Sequence, residues 1–197
     1  MKITFEKHNP LWEQAFGHIE KELVNVLGFL NPRIEHIGST SVNGLSAKPI
    51  LDIMIGLKRA ADLDLCPPSL MEKDYVYYEN YNLDMPYRRF FVKLKDSPQS
   101  LSLPVHIKPG DMIPKELHNH TLRLAHIHIL PLNSEHWIRH IAFRDYLRTH
   151  PEVRAGYQQL KEELSLQEWK DGNEYNDAKD SFIKREEQKA VKWYNQL

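Results

Sequence analysis

The stretch EHIGSTSVNGLSAKPILDIMIGL, Glu35 to Leu57, decides the fold class. Arg33 to Ile37 reads as a short strand that ends at Gly38, and Pro49 to Leu57 reads as the next one. Side chains alternate across a strand, so Pro49, Leu51, Ile53 and Ile55 share one face. Ile50, Asp52, Met54 and Gly56 share the other. A strand apolar on both faces belongs in the middle of a sheet. Its one charge, Asp52, is costly to bury without a partner and therefore marks a site. The Gly38-Ser39-Thr40 turn offers backbone N–H groups and hydroxyls where the first strand ends, a geometry that binds phosphate oxygens.

Upstream, Asn9 can cap a helix and Pro10 suits its first position. Leu11, Ala15, Ile19, Leu23 and Leu27 then recur at helical spacing until Gly28, and Asn31-Pro32 breaks the chain. Downstream, residues 58–74 read as a short helix and a Pro67-Pro68 loop. Arg89 to Lys95 and Leu103 to Lys108 read as strands, and residues 109–114 as a loop. In Thr121 to Leu130 the alternation slips, with Leu122 and Leu124 in one phase and Ile127 and Ile129 in the other. A bulge near Ala125 restores the phase and puts Arg123, His126 and His128 on one face. From Ser134 the pattern is helical, over 134–149, 151–165 and 173–195. The last two helices are charged on most faces and read as solvated cover, with Tyr157, Leu160, Leu164, Phe182 and Trp193 inward. These elements predict an α/β (α+β) chain with a mixed sheet, flanking helices and one domain over 1–197, helical from about 134. Ile34–Ile37, Pro49–Leu57 and Ile127–Leu130 are expected as neighbours in one sheet.

A formal charge of -1 argues against an undirected grip on nucleic acid or an anionic membrane. MKITFEKHNPLWEQAF has no apolar core of a secretory signal, and no apolar run has membrane-spanning length. The single cysteine, Cys66, has no intrachain partner and reads as a structural thiol. Together these predict a cytoplasmic location.

Asp52 and Ser39 are the catalytic candidates. Gly38, Ser39, Thr40 and Lys48 are candidates for holding phosphate. Arg89 and Arg123 are candidates for a guanidinium clamp on it, whereas Arg88 reads as an ordinary strand-end charge. Seven of the eleven histidines fall between His106 and His140. His126 and His128, two apart in a strand, project from one face and could join Asp52 on a divalent metal. Magnesium or manganese is the first expectation and zinc the next, although imidazole ligands favour the softer ions. Arg144 and Arg148 lie one helical turn apart, and an Asp145–Arg148 ion pair accounts for them. No GxGxxG, P-loop, GxSxG or HExxH pattern occurs.

The chain resembles the GrpB family, a branch of the nucleotidyltransferase superfamily also found beside dephospho-CoA kinase in some proteins. The resemblance is carried by PLWEQAF, EHIGSTSV-x-GL-x-AKPI-x-DIMI, YRRFF, HIHIL, AFRDYLRTHPE, Y-x-x-LK and Y-x-x-AK-x-x-FI, in this order along nearly the whole chain. Asn43 departs from the proline usual after that STSV, but Asn43-Gly44 is itself a turn pair. The resemblance implies a mixed sheet with flanking helices, nucleotide phosphates at Gly38-Ser39 and metal at Asp52. The superfamily's second carboxylate would stand at Met54, and GrpB proteins generally lack it. Two-metal transfer needs ions about 3.5–4 Å apart, which one aspartate does not hold. Two functions follow as expectations, beside a third reading as a protein-interaction adaptor with the charged C-terminal helices as its surface. One is transfer of a nucleotidyl or phosphoryl group from a nucleotide to a small-molecule acceptor. The other is binding of a nucleotide or CoA precursor without turnover.

Overall fold

The computed structural model describes residues 4–170 and 172–197. Six strands form one mixed sheet: β1 (Arg33–Ile37), β2 (Leu51–Leu57), β3 (Tyr75–Tyr78), β4 (Arg89–Leu94), β5 (His106–Ile107) and β6 (Arg123–Pro131). Their order across the sheet is β1-β2-β6-β4-β3-β5. β2 is central as expected, antiparallel to β1 and parallel to β6. The three strands expected as neighbours are neighbours.

Helix α1 (Leu11–Leu27) begins just after Pro10, and the Asn9 side chain accepts from Leu11 N at 3.0 Å. Its buried Ile19, Leu23 and Leu27 pack with Ile53, Ile55, Phe91, Ile127 and Ile129 in one continuous apolar layer. α2 (Cys66–Met71) joins that layer through Cys66 and Leu70. Pro67-Pro68 is thus the first turn of a helix rather than a loop, where a missing N–H costs nothing. Burial pushes the Cys66 thiol up to about 12, in keeping with a structural residue.

The other face of the sheet carries α3 (Glu135–Thr149), α4 (Pro151–Ser165) and α5 (Gly172–Tyr194). Gly56 admits α3: a Cβ there would meet the Trp137 ring at 2.7 Å. The slip in β6 is a bulge. β4 pairs Lys93 with Ala125 but Leu94 with Arg123, leaving Leu124 between them. Tyr75–Tyr78 forms a strand that the sequence reading does not contain, and Leu103–Lys108 keeps only His106–Ile107 as strand. Among the described residues no helix is long and apolar enough to cross a membrane.

Candidate functional site

The site starts at the turn after β1. Gly38 has φ +69, and a Cβ there would lie 3.0 Å from the Asp52 Cβ and 3.1 Å from its Cγ. Only glycine lets the turn close over the aspartate. Two arginines of α3 hold this turn. Arg148 donates to Ser41 O at 2.8 and 3.1 Å, and Arg144 donates to His36 O at 3.1 Å. Arg144 is itself paired with Glu35 at 2.6 Å and Asp145 at 2.8 Å, and the expected Asp145–Arg148 contact spans 3.4 Å. Thr40 is buried and its hydroxyl meets His36 Nε2 at 2.9 Å, so that oxygen is already engaged. The Asn43-Gly44 turn forms, with Gly44 at φ +84 and Leu45 N on Val42 O at 3.2 Å.

Parallel pairing sets Asp52 opposite His126 and Met54 opposite His128. His126 Nδ1 lies 3.0 Å from Asp52 Oδ1, and Arg123 Nη1 lies 3.1 Å from His126 Nε2. A guanidinium only donates, so Nε2 accepts and Nδ1 carries the proton given to Asp52. Likewise Arg88 Nη1 meets His128 Nδ1 at 3.3 Å, and Lys48 Nζ meets His120 Nδ1 at 3.3 Å. Burial and then Arg88 hold the His128 pKa well below its ordinary value, and burial with Arg123 and Lys48 takes His120 to about 3. Burial alone would raise the Asp52 pKa. The His126 hydrogen bond and the surrounding imidazoles outweigh it and lower it. The Asp52 side chain is still 35% exposed, because it opens into a cavity.

This arrangement corrects two sequence expectations. Asp52, His126 and His128 share a face but do not form a ligand set. Asp52 and His126 bond each other, and the next imidazole nitrogens face guanidinium groups. Among the described residues no group of three or more His, Cys, Asp or Glu side chains is placed to hold a metal ion. Arg89 is the second correction. Antiparallel register puts Arg89 opposite Ile129 and Phe90 opposite His128, so Arg89 turns to the α1 side and pairs with Asp64 at 2.7 Å. Arg88, expected as an ordinary strand-end charge, instead faces His128 and lines the larger cavity.

Two cavities meet at Asp52. The larger, about 670 Å³, is lined by Ser39, Thr40, Lys48, Arg88, Arg123 and four histidines. Lys161 of α4, Lys179 of α5 and Lys170 just before α5 complete six Lys and Arg side chains against one carboxylate among the described residues. Lys161 is 2% exposed, bonds Ser46 O, and sits 3.4 Å from Ser39 Oγ and 4.9 Å from the Tyr157 ring centre. Lys179 sits 4.2 Å over the Tyr175 ring. Burial, followed by Lys179, lowers Lys161 to about 7, and burial with Lys48 lowers Lys179 to about 8. Both lysines stand in the Y-x-x-LK and Y-x-x-AK motifs, on helices whose charge pattern reads as solvated cover. The signal was present as Tyr-x-x-x-Lys in two successive helices, Tyr157/Lys161 and Tyr175/Lys179, a spacing that stacks the ammonium on the ring. The smaller cavity, about 330 Å³, is lined by Gly38, Ser39 and Asp52 together with Phe143, Leu147, Ile183 and Glu187.

Relatives share this framework. The Glutamate-rich protein GrpB of Alkalihalophilus pseudofirmus is 27% identical over 183 residues, 92% of each chain. A UPF0157 protein of Halalkalibacterium halodurans is 27% identical over 181 residues, 92% of this chain and 78% of its own. The crystal structure of conserved protein GrpB from Enterococcus faecalis superposes with a TM-score of 0.75 at 29% identity, covering 97% of this chain and 99% of that one. With the profile described as GrpB protein matching residues 2–189, this chain belongs to the GrpB family.

Proposed function

We propose that the larger cavity binds a nucleotide and that the chain transfers a nucleotidyl or phosphoryl group from it to a small acceptor. The observation that carries the binding half is charge: six Lys and Arg side chains converge on one cavity in a chain of net charge -1. Such a field suits a polyphosphate. Tyr81, Phe90 and Tyr175 all line this cavity and offer rings to a stacked base, and among the described residues the buried Tyr175 hydroxyl has no hydrogen-bond partner. In the transfer half, Asp52 takes the proton of the acceptor hydroxyl. That oxygen forms the new bond to phosphorus, the bond to the departing phosphate breaks, and the lysines and arginines receive the charge that develops on it.

The second reading is binding of a nucleotide or CoA precursor without turnover, and Met54 favours it. Met54 is fully buried under Trp137 and Ile141, outside both cavities, so the position two residues after Asp52 faces no ligand.

The test is a thermal-shift and calorimetry screen of ATP, GTP, CTP, UTP, CoA, dephospho-CoA and tripolyphosphate. It is run with and without magnesium, manganese or zinc, because the metal expectation now rests on Asp52 alone. A ligand at about 100 times its Kd adds about 2.7 kcal/mol to stability, several degrees of Tm. Lys179→Met should weaken binding about tenfold. If neither tripolyphosphate nor any nucleotide raises Tm, the binding proposal is wrong. Phosphorus NMR of the bound nucleotide with candidate acceptors then separates transfer from binding alone.

A further inference from the structure

The two cavities share Ser39, Asp52, His128, Tyr157 and Lys179, yet their remaining walls differ in kind. Beyond that shared wall the larger cavity is cationic. The smaller is lined by the apolar Ile37, Phe143, Leu147 and Ile183 together with the buried carboxylate Glu187, one helical turn from Ile183. Its charges cancel. Asp52 and Glu187 stand against Arg144 and Lys179, and Arg144 already answers Glu35 and Asp145. Burial keeps His140 neutral down to about 4, leaving one ring nitrogen to donate and one to accept. Glu187 has Arg139 at 3.5 Å, a long contact for a side chain only 11% exposed, and burial raises its pKa.

We infer that the smaller cavity is a binding site for an uncharged small molecule with an apolar body and a hydroxyl group, seated beside Asp52. The inference deepens the proposed transfer and rests on that reading, since it supplies the acceptor side of the same aspartate. Each step follows from the walls. A volume of about 330 Å³ is at the small end of pockets that bury a ligand. Ile37, Leu147 and Ile183 reward an apolar body. Glu187 and His140 reward a hydroxyl. A carboxylate in this space would face Glu187 and Asp52 and lose its hydration, and Lys179, the cation it could reach, also lines the larger cavity, where a polyphosphate engages it. A polyphosphate therefore goes to the larger cavity and the alcohol to the smaller, and the two reactants meet at Asp52, which lines both.

The experiment observes the methyl groups of Ile37, Leu147 and Ile183 by NMR in the full chain. The probes are cyclohexanol, benzyl alcohol and 2-phenylethanol, with cyclohexanecarboxylate, benzoate and phenylacetate as charged counterparts. The alcohols should shift those methyls saturably with or without tripolyphosphate. The carboxylates should bind at least about tenfold more weakly, the loss expected for desolvating an unpaired charge. Ile183→Trp, which fills the cavity from its partly buried rim, should abolish the shifts while tripolyphosphate affinity stays unchanged. The inference is overturned if no alcohol saturates, if the carboxylates bind equally well, or if Ile183→Trp leaves the alcohol shifts intact. Failure of the larger cavity looks different: tripolyphosphate and nucleotides would then give no Tm change, whatever the methyls report.

Discussion

The two faces of the sheet solve different problems. Toward α1, the residues Ile53, Ile55, Phe91, Ile127 and Ile129 merge into one layer with Leu23 and Leu27. Away from α1, under α3, α4, α5 and the 101–122 segment, the apolar residues break into four smaller clusters, and Asp52, His126 and His128 line the cavities on that side. The first face supplies burial energy. The second leaves part of that energy uncollected so that a carboxylate, imidazoles and half-desolvated lysines stand near one another, a cost proteins accept at functional sites. Adjacent residues on one strand thus have different work, and single substitutions can show it.

Phe91 and Phe90 give the largest contrast. Phe91 is fully buried in the continuous layer, whereas Phe90 lines the larger cavity. Phe91→Ala should cost about 3–5 kcal/mol, the usual range for a closed aromatic core site. Phe90→Ala should cost clearly less, because one side of its ring already borders open space. Chemical denaturation of the two variants decides it, and equal losses would mean that the cavity face is packed as tightly as the other.

Acid should come next in size. Burial is the first cause holding His36 and His140 down to about 4 and His120 to about 3, against 6.5 for the free side chain. Between about pH 6.5 and 4 the unfolded chain therefore binds more protons than the folded one, and stability falls as pH falls. Asp52, lowered as well, works in the same direction at still lower pH. His36 alone represents on the order of 3 kcal/mol across that window. His36→Phe, which keeps the stacking on Phe16 seen at 4.8 Å between ring centres, should flatten the acid limb of a Tm-versus-pH curve. An unchanged acid limb would remove His36 from the account.

What the sequence disclosed follows the same division. The continuous layer was legible, because α1, β1, β2 and β6 are built on regular apolar spacing, and even the β6 bulge shows as a slip of phase. β3 escaped because YVYY is four residues long and buried on both sides, so it has no alternation to read. On the cavity face the residue types were legible and their partners were not. Asp52, His126 and His128 could be placed on one face, but which nitrogen accepts depends on arginines brought from residues 88 and 123. Met54 could be seen as a missing carboxylate. That its position is shut off by Trp137 requires Gly56 and the docking of α3. Lys161 and Lys179 lie far along the chain from the Gly38 turn, and only the packing of α4 and α5 brings them to it.

The smallest expected effect is also the sharpest test of the two-face division, because it separates neighbours of the same chemistry. Arg88 and Arg89 are both arginines at the entrance to β4. Arg88 turns to the cavity, with His128 at 3.3 Å and the Phe90 ring centre at 5.2 Å, and burial lowers its pKa. Arg89 turns to the α1 side, where it pairs with the well-exposed Asp64 and caps Pro86 O at 2.9 Å. If the larger cavity takes polyphosphate, Arg88→Met removes one desolvated cation from it and should weaken tripolyphosphate binding about tenfold. Arg89→Met removes an ion pair with an exposed partner and should change stability by under about 1 kcal/mol with no change in affinity. Titration calorimetry on both variants reads the difference directly. Equal losses would mean that the arginines act only through the overall field of the molecule, and such a field would also fade with added salt. A loss confined to Arg88, surviving at 0.15 M salt and above, ties the binding to the cavity face, since buried pairs are screened far less than exposed ones.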